Sequence, residues 1–273
     1  MNIQLKYGST TAEIRQKGAQ MVSFRGSDGR EVIWQADPAV WPNYAPVLFP
    51  VCGMPKDEKV IIHGVTYPMA KHGFSRNPVY TIARVGDDFV DLVLTPTEES
   101  RPQYPFEFEF HVVYTLRENG FRTDFIVENK SNAVMPFCVG GHPGFIVPME
   151  EGAAYTDYQL VFPQRETGRN LLVPGGKLVD GEEILPLIDG RILPLSHSLF
   201  DDRDALVLPE CTAAAWIWST GSPARASASA IRRWRYWPSG PCRRRTAIMS
   251  AWNPGTACPV RSQKAAGLRI SPM

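Results

Sequence analysis

Phe106-Glu107-Phe108-Glu109-Phe110-His111-Val112-Val113-Tyr114-Thr115-Leu116 is the stretch whose reading decides the fold. Apolar side chains fall at 106, 108, 110, 112, 114 and 116. A period of two is that of a strand with one face buried, because successive side chains point to opposite sides of the pleat. Glu118-Asn119-Gly120 follows and reads as a turn, since Asn and Gly accept positive φ at little cost. Phe121-Arg122-Thr123-Asp124-Phe125-Ile126-Val127-Glu128 is then the returning strand.

Working outward, two more hairpins read the same way. One spans 60–67, with Gly64 between Val60-Ile61-Ile62-His63 and Val65-Thr66-Tyr67. The other spans 79–94, with Gly86-Asp87-Asp88 between Val79-Tyr80-Thr81-Ile82 and Phe89-Val90-Asp91-Leu92-Val93-Leu94. Ala205-Leu206-Val207-Leu208 reads as a further strand. Many short strands at close turn spacing indicate an all-β chain, a large antiparallel β-sandwich or barrel. The loops at 36–58 and 163–200 are rich in Pro and Gly, and long loops on a rigid sheet scaffold are where sites are built.

Composition narrows the classes. The chain has 273 residues, 44% hydrophobic and 21% charged, enough for a sizeable core and too apolar for global disorder. No apolar run approaches the roughly 18 residues of a membrane span, and the first residues carry no signal-peptide pattern. The five cysteines are scattered and odd in number, which argues against a disulfide framework and excludes a C-x-x-C zinc site, so a cytoplasmic setting is expected. Neither the P-loop nor the Rossmann glycine signature is present.

Charge is unevenly spread. Residues 1–210 hold 19 Lys and Arg against all 28 Asp and Glu, a net of −9. Residues 211–273 hold 10 Lys and Arg and no acid, a net of +10. Five of the seven tryptophans and none of the 13 phenylalanines lie after 210.

Two histidine motifs carry the chemistry. Lys71-His72-Gly73-Phe74-Ser75-Arg76 lies on a loop, with a glycine that admits close approach and an arginine four residues on. Val139-Gly140-Gly141-His142-Pro143-Gly144-Phe145 surrounds one histidine with residues that dictate its backbone path. His63, His111 and His197 lack such contexts and read as structural or solvated, as do the pairs Asp57-Glu58 and Glu150-Glu151. Asp201-Asp202-Arg203-Asp204 reads either as a turn or as the source of a carboxylate that accepts from hydroxyls.

As an ordered set, these pieces resemble the aldose 1-epimerase (galactose mutarotase-like) family, in the bacterial branch of lactose-operon mutarotase-like proteins. The set runs through Gly18-Ala19-Gln20-Met21-Val22-Ser23-Phe24, Ile33-Trp34-Gln35-Ala36-Asp37-Pro38, Ala45-Pro46-Val47-Leu48-Phe49-Pro50-Val51-Cys52-Gly53, His72-Gly73-Phe74-Ser75-Arg76 and Gly140-Gly141-His142-Pro143-Gly144-Phe145. The resemblance covers about residues 1–210. It implies a β-supersandwich, mutarotation of a free aldose as a small-molecule substrate, and no metal or cofactor. It also implies His142 as general acid, His72 positioning the sugar or sharing the acid role, Arg76 binding sugar hydroxyls, and Asp204, or less so Asp202, holding a hydroxyl pair. Met54 stands where many relatives carry a sugar-contacting arginine. The family's base is a glutamate near the C-terminus in a context like Cys-x-Glu-Pro, and no glutamate follows Glu210.

The genetic code suggests why. If true codons join the last base of one printed codon to the first two of the next, Trp252-Asn253 conceals GAA, a glutamate, because tryptophan is TGG and asparagine AAT or AAC. Asn253-Pro254 then gives Pro or Ser, Ser250-Ala251 permits Cys, Ala251-Trp252 permits Val, and the hidden segment can read Cys-Val-Glu-Pro. Trp216-Ile217 conceals an aspartate, Tyr236-Trp237 a leucine and Trp237-Pro238 an alanine. A shift of reading frame near 211–216 therefore accounts together for the missing acids, the missing phenylalanines and the excess of Arg and Trp. The expected organisation is a sandwich domain over 1–215, disrupted at its C-terminus, and an aberrant basic tail over 216–273. A competing reading takes Arg232-Arg233 and Arg243-Arg244-Arg245 as a tail that neutralises nucleic-acid phosphates. The frame reading absorbs more of the composition, so no nucleic-acid or membrane partner is expected. A second functional reading is a non-catalytic carbohydrate-binding protein of the same fold. Oligomeric state, the preferred aldose and tolerance of a sugar phosphate leave no mark in the sequence.

Overall fold

The computed structural model describes residues 1–118, 120–174, 179–201 and 205–209, together with the backbone of four later strands. In chain order the strands are β1 (Asn2–Tyr7), β2 (Thr10–Arg15), β3 (Gln20–Arg25), β4 (Val47–Leu48), β5 (Lys59–Ile62), β6 (Val65–Pro68), β7 (Thr81–Val85) and β8 (Phe89–Leu94). Then come β9 (Phe108–Arg117), β10 (Gly120–Asn129), β11 (Gly140–Gly141), β12 (Gly144–Ile146), β13 (Tyr158–Val161), β14 (Arg169–Leu171), β15 (Glu182–Ile184), β16 (Ile192–Pro194) and β17 (Leu206–Leu208). The four later strands are β18 (Trp216–Ser219), β19 (Thr246–Met249), β20 (Ala257–Gln263) and β21 (Leu268–Arg269). Described helical elements are three-residue 3₁₀ turns, and none is long and apolar enough to cross a membrane.

The deciding stretch forms β9. Phe108, Phe110, Val112, Tyr114 and Leu116 are buried, and the residues between them are half-buried. Its partner β10 runs antiparallel from Arg117↔Gly120 to Phe108↔Asn129, closing a two-residue turn in which Asn119 lies outside the described residues. The five-stranded sheet runs β21-β10-β9-β8-β7. A second sheet runs β15-β14-β17-β19-β20-β11-β4, with β12 also pairing β20.

Phe49, just after β4 of the second sheet, joins the layers. Its ring lies 4.6 Å from Phe110 and 5.2 Å from Phe108 on β9, and 5.8 Å from Tyr104. Burying a large aromatic of this kind contributes about 1.5–3 kcal/mol before packing terms. The β1-β2-β3 sheet packs at one end, where Tyr114 Oη donates to Ala19 O at 2.8 Å and Phe24 meets Phe121 at 4.9 Å. The architecture is an all-β sandwich, as the alternation indicated.

The 60–67 hairpin differs in one detail. His63 is not in the strand but in the turn: His63 and Gly64 carry φ of 50° and 83°, and Ile62 pairs with Val65. Two consecutive positive φ values match the right-handed twist of the flanking strands.

Beyond residue 215 the described backbone pairs β18 with β13, β19 with β17, β20 with β11, β12 and β19, and β21 with β10. Ladder hydrogen bonds join main-chain groups, which nearly every sequence supplies. Proline is the exception, and Pro259 lies in β20 opposite Gly144, in a strand paired on both sides. It has no N–H to donate, and proline is ordinarily kept to edge strands. The frame reading concerns the side chains of 216–273, which lie outside the described residues.

Candidate active site

Both histidine motifs are held against the same strand, β4. Gly140 pairs with Leu48 and Gly141 with Val47, and the His142 N–H donates to Pro46 O at 2.8 Å. On the other side, the Phe74 and Ser75 N–H groups donate to Phe49 O at 3.1 and 3.3 Å. Ser75, fully buried, donates its Oγ–H to Val47 O at 2.6 Å. One short segment, 46–50, therefore fixes both loops.

The glycine after His72 is required at this position. Gly73 has φ +71°, and a Cβ there would lie 2.2 Å from Phe49 O. His72 itself takes φ +69°, uncommon for a residue with a Cβ and worth about 1–2 kcal/mol of strain. What offsets it is a clamp. The His72 N–H donates to Gly53 O at 2.8 Å, and the Gly53 N–H donates to His72 Nδ1 at 2.9 Å. A ring nitrogen that accepts carries no proton, so the neutral His72 ring is protonated at Nε2. His72 thus offers a fixed N–H donor to whatever faces it.

The two imidazoles meet. Their centroids are 5.8 Å apart and their planes cross at 87°, and both residues are buried. Trp41 stacks on the other face of His142, with centroids 5.0 Å apart and planes at 27°. Trp41 is half-buried, and its carbonyl accepts from Trp34 Nε1 at 2.8 Å. Gly144 lets these elements close up, since a Cβ there would lie 2.8 Å from Trp34 Cβ and 2.9 Å from Trp41 Cζ3. Beneath His142 is a mostly apolar cavity lined by Met21, Ala45, Tyr114, Phe125 and the histidine itself. Burial pushes the Tyr114 phenol well up from its ordinary value, so it is uncharged there.

Arg76 is half-buried at the end of the His72 loop, and its carbonyl packs against Gly18, where a Cβ would lie 2.4 Å from Arg76 O. Asp202 and Asp204 lie outside the described residues. The remaining histidines have local partners. His63 Nε2 lies 2.8 Å from Val134 O, and His197 stacks on Tyr155 at 4.9 Å. His111 Nδ1 lies 2.8 Å from Asp91 Oδ1 on the outer face of the five-stranded sheet. Among the described residues Glu109, His111 and Glu128 come close enough to hold a cation, and the Lys130 ammonium sits there, 3.1 Å from Glu109 and 2.6 Å from Glu128. The sequence reading missed Trp41 and the Gly53 N–H. An aromatic between prolines in the 36–58 loop was the only available signal for the first, and a backbone donor leaves none.

Residues 1–180 match the family model described as aldose 1-epimerase. The chain belongs to the aldose 1-epimerase family. It is 35% identical over 216 residues to Protein LacX of Lactococcus lactis subsp. lactis, a match covering 76% of this chain and 72% of that protein. Among solved structures it is similar to a galactose mutarotase related enzyme from Lactobacillus acidophilus, with a TM-score of 0.80 and 24% identity over 100% of this chain and 93% of that one. A galactose mutarotase-like protein from Lactobacillus casei superposes with a TM-score of 0.76 and 21% identity, over 99% and 98% of the two chains. In aldose 1-epimerase family terms, the chain is of the sugar-epimerising, isomerase class.

Proposed function

We propose that this site interconverts the α and β anomers of a free aldohexose, with the edge-to-face meeting of His72 and His142 as the observation that carries the reading. The C1 hydroxyl gives its proton to a base, the C1–O5 bond breaks as a carbonyl forms at C1, and the ring oxygen takes a proton from an acid. Rotation about C1–C2 and reclosure deliver the other anomer, and the protons return. His142 is the acid. His72 donates its Nε2–H to a sugar oxygen and holds the ring in place, the role its clamped tautomer suits. Arg76 binds hydroxyls, and Asp204 holds a hydroxyl pair. The reaction needs no metal or redox cofactor, and we place it in the cytoplasm on the pattern of cysteines.

The base is where this chain departs. No acid follows Glu210, and the codons under Trp252-Asn253 conceal a glutamate. Loss of a general base costs about 10²–10⁴ in rate, so the chain as it stands is a weak mutarotase or a carbohydrate binder. Polarimetry on freshly dissolved α-D-galactose and α-D-glucose tests this. The chain with its frame restored after residue 211 speeds the approach to equilibrium rotation, and His142→Asn abolishes the effect. A restored chain that leaves the spontaneous rate unchanged overturns the catalytic reading. DNA sequence that continues in frame, without a displaced base, through the codons for 205–260 overturns the frame reading.

A further inference from the structure

A second cluster of titratable side chains lies on the face of the five-stranded sheet turned away from the core. On β9, Glu109 and His111 are two residues apart and share that face. On β10, Glu128 stands directly opposite Glu109. Like charges opposed across a ladder repel, so a register that sets two carboxylates face to face calls for a cation between them. Lys130 supplies one positive charge, its ammonium 3.1 Å from Glu109 and 2.6 Å from Glu128. Two carboxylates against one ammonium leave a negative surplus.

The histidine is oriented from behind. His111 Nδ1 lies 2.8 Å from Asp91 Oδ1, and Asp91 is buried, with its other oxygen 3.0 Å from Arg84 Nη2. A carboxylate accepts, so Nδ1 carries the proton and the neutral ring has its lone pair on Nε2. Nε2 faces Glu109 Oε2 at 3.9 Å, too far for a hydrogen bond. A carboxylate behind a histidine, fixing its tautomer and ring angle, is the arrangement that metal-ligating histidines share. Asp91 is not one of the three residues that converge on the cation position, so it points there independently of them.

We infer that Glu109, His111 and Glu128 form a surface site for a divalent transition-metal ion, of which zinc fits the donor set, with Asp91 as the residue that orients the histidine. The three ligand atoms lie within 4.8 Å of one another. Zinc takes nitrogen and carboxylate oxygen at about 2.0–2.2 Å, which sets tetrahedral ligands about 3.4 Å apart, a small rotation for one exposed and one half-buried glutamate. Water takes the fourth position. The Lys130 ammonium gives way, since exposed ion pairs of this kind are individually weak. The bound ion ties β9 to β10 and takes no part in mutarotation.

The test is a zinc titration of the full chain by nitrogen-15 NMR, following the His111 ring, with the resonance assigned by its loss in His111→Gln. Zinc held elsewhere, by a cysteine or another histidine, does not enter that reading. The His111 signal should move and saturate. Glu128→Gln changes an exposed side chain, and circular dichroism checks that the fold is kept; it should weaken binding at least about tenfold. Lys130→Met removes the competing ammonium and should strengthen binding about two- to fivefold. A His111 signal that does not saturate below about 1 mM zinc, an affinity unchanged by Glu128→Gln, or binding weakened by Lys130→Met overturns the inference.

Discussion

Gly73→Ala isolates the contact that places His72. Two costs are expected at this position. A residue with a Cβ at φ +71° costs about 1–2 kcal/mol. The new Cβ would also stand 2.2 Å from Phe49 O and 2.6 Å from Phe49 C, both well inside the 3.4 Å at which ordinary contact begins. Those are backbone atoms, and the carbonyl they form accepts two N–H groups, so it cannot turn away without losing both bonds. Overpacking of this kind costs about 1–3 kcal/mol. The sum is about 2–5 kcal/mol, or roughly 4–20 °C in the midpoint of thermal unfolding at this chain length. Gly64→Ala is the matched control. Its φ is +83°, but a Cβ there has nothing within 4 Å, so only the backbone cost of about 1–2 kcal/mol applies. Thermal unfolding of the two variants beside the parent, followed by circular dichroism, reads the difference. Gly73→Ala should be clearly the worse, and it should also disturb the His72 ring resonance. Equal losses for the two variants would refute the close approach of the His72 loop to Phe49.

Phe49→Ala removes the ring that joins the two sheets and should cost about 3–5 kcal/mol in urea unfolding; a loss under 1 kcal/mol would mean that the aromatic cluster is not the seam of the sandwich. His72 should show its proton on Nε2 in long-range nitrogen-15 correlation spectra at about neutral pH, because the Gly53 N–H occupies Nδ1; a proton on Nδ1 would contradict the clamp. Restoring the frame after residue 211 should raise mutarotase turnover by about 10²–10⁴ over the chain as it stands, measured by polarimetry; equal rates would show that the tail is not what limits it.

The fold was legible because it depends on alternation. Residues 106–116 and 121–128 hide one face each, and period two survives without knowledge of what covers them. The histidine motifs were legible because glycine and proline constrain backbone. That His72 and His142 converge was a matter of resemblance, since it depends on both loops bonding to 46–50, a long-range pairing that no local pattern encodes. The stacking of Trp41 on His142 was hidden for the same reason: it depends on where a loop returns. Asp91 is a further case, a carboxylate 3% exposed inside a strand that read as apolar, kept there by Arg84 at 3.0 Å and His111 at 2.8 Å from neighbouring strands. The tail shows the converse. The backbone of the four strands described in it pairs with the sheets, although its composition departs from everything before it, because ladders use groups common to nearly all residues.

Nitrogen-15 NMR of both ring systems during addition of D-galactose tests the central claim most directly, and needs no turnover. If one hexose lies against two imidazoles, the resonances of His72 and His142 should move together, with one shared dissociation constant, while those of His63, His111 and His197 stay still. Movement of only one of the pair, or two different constants, would contradict the account.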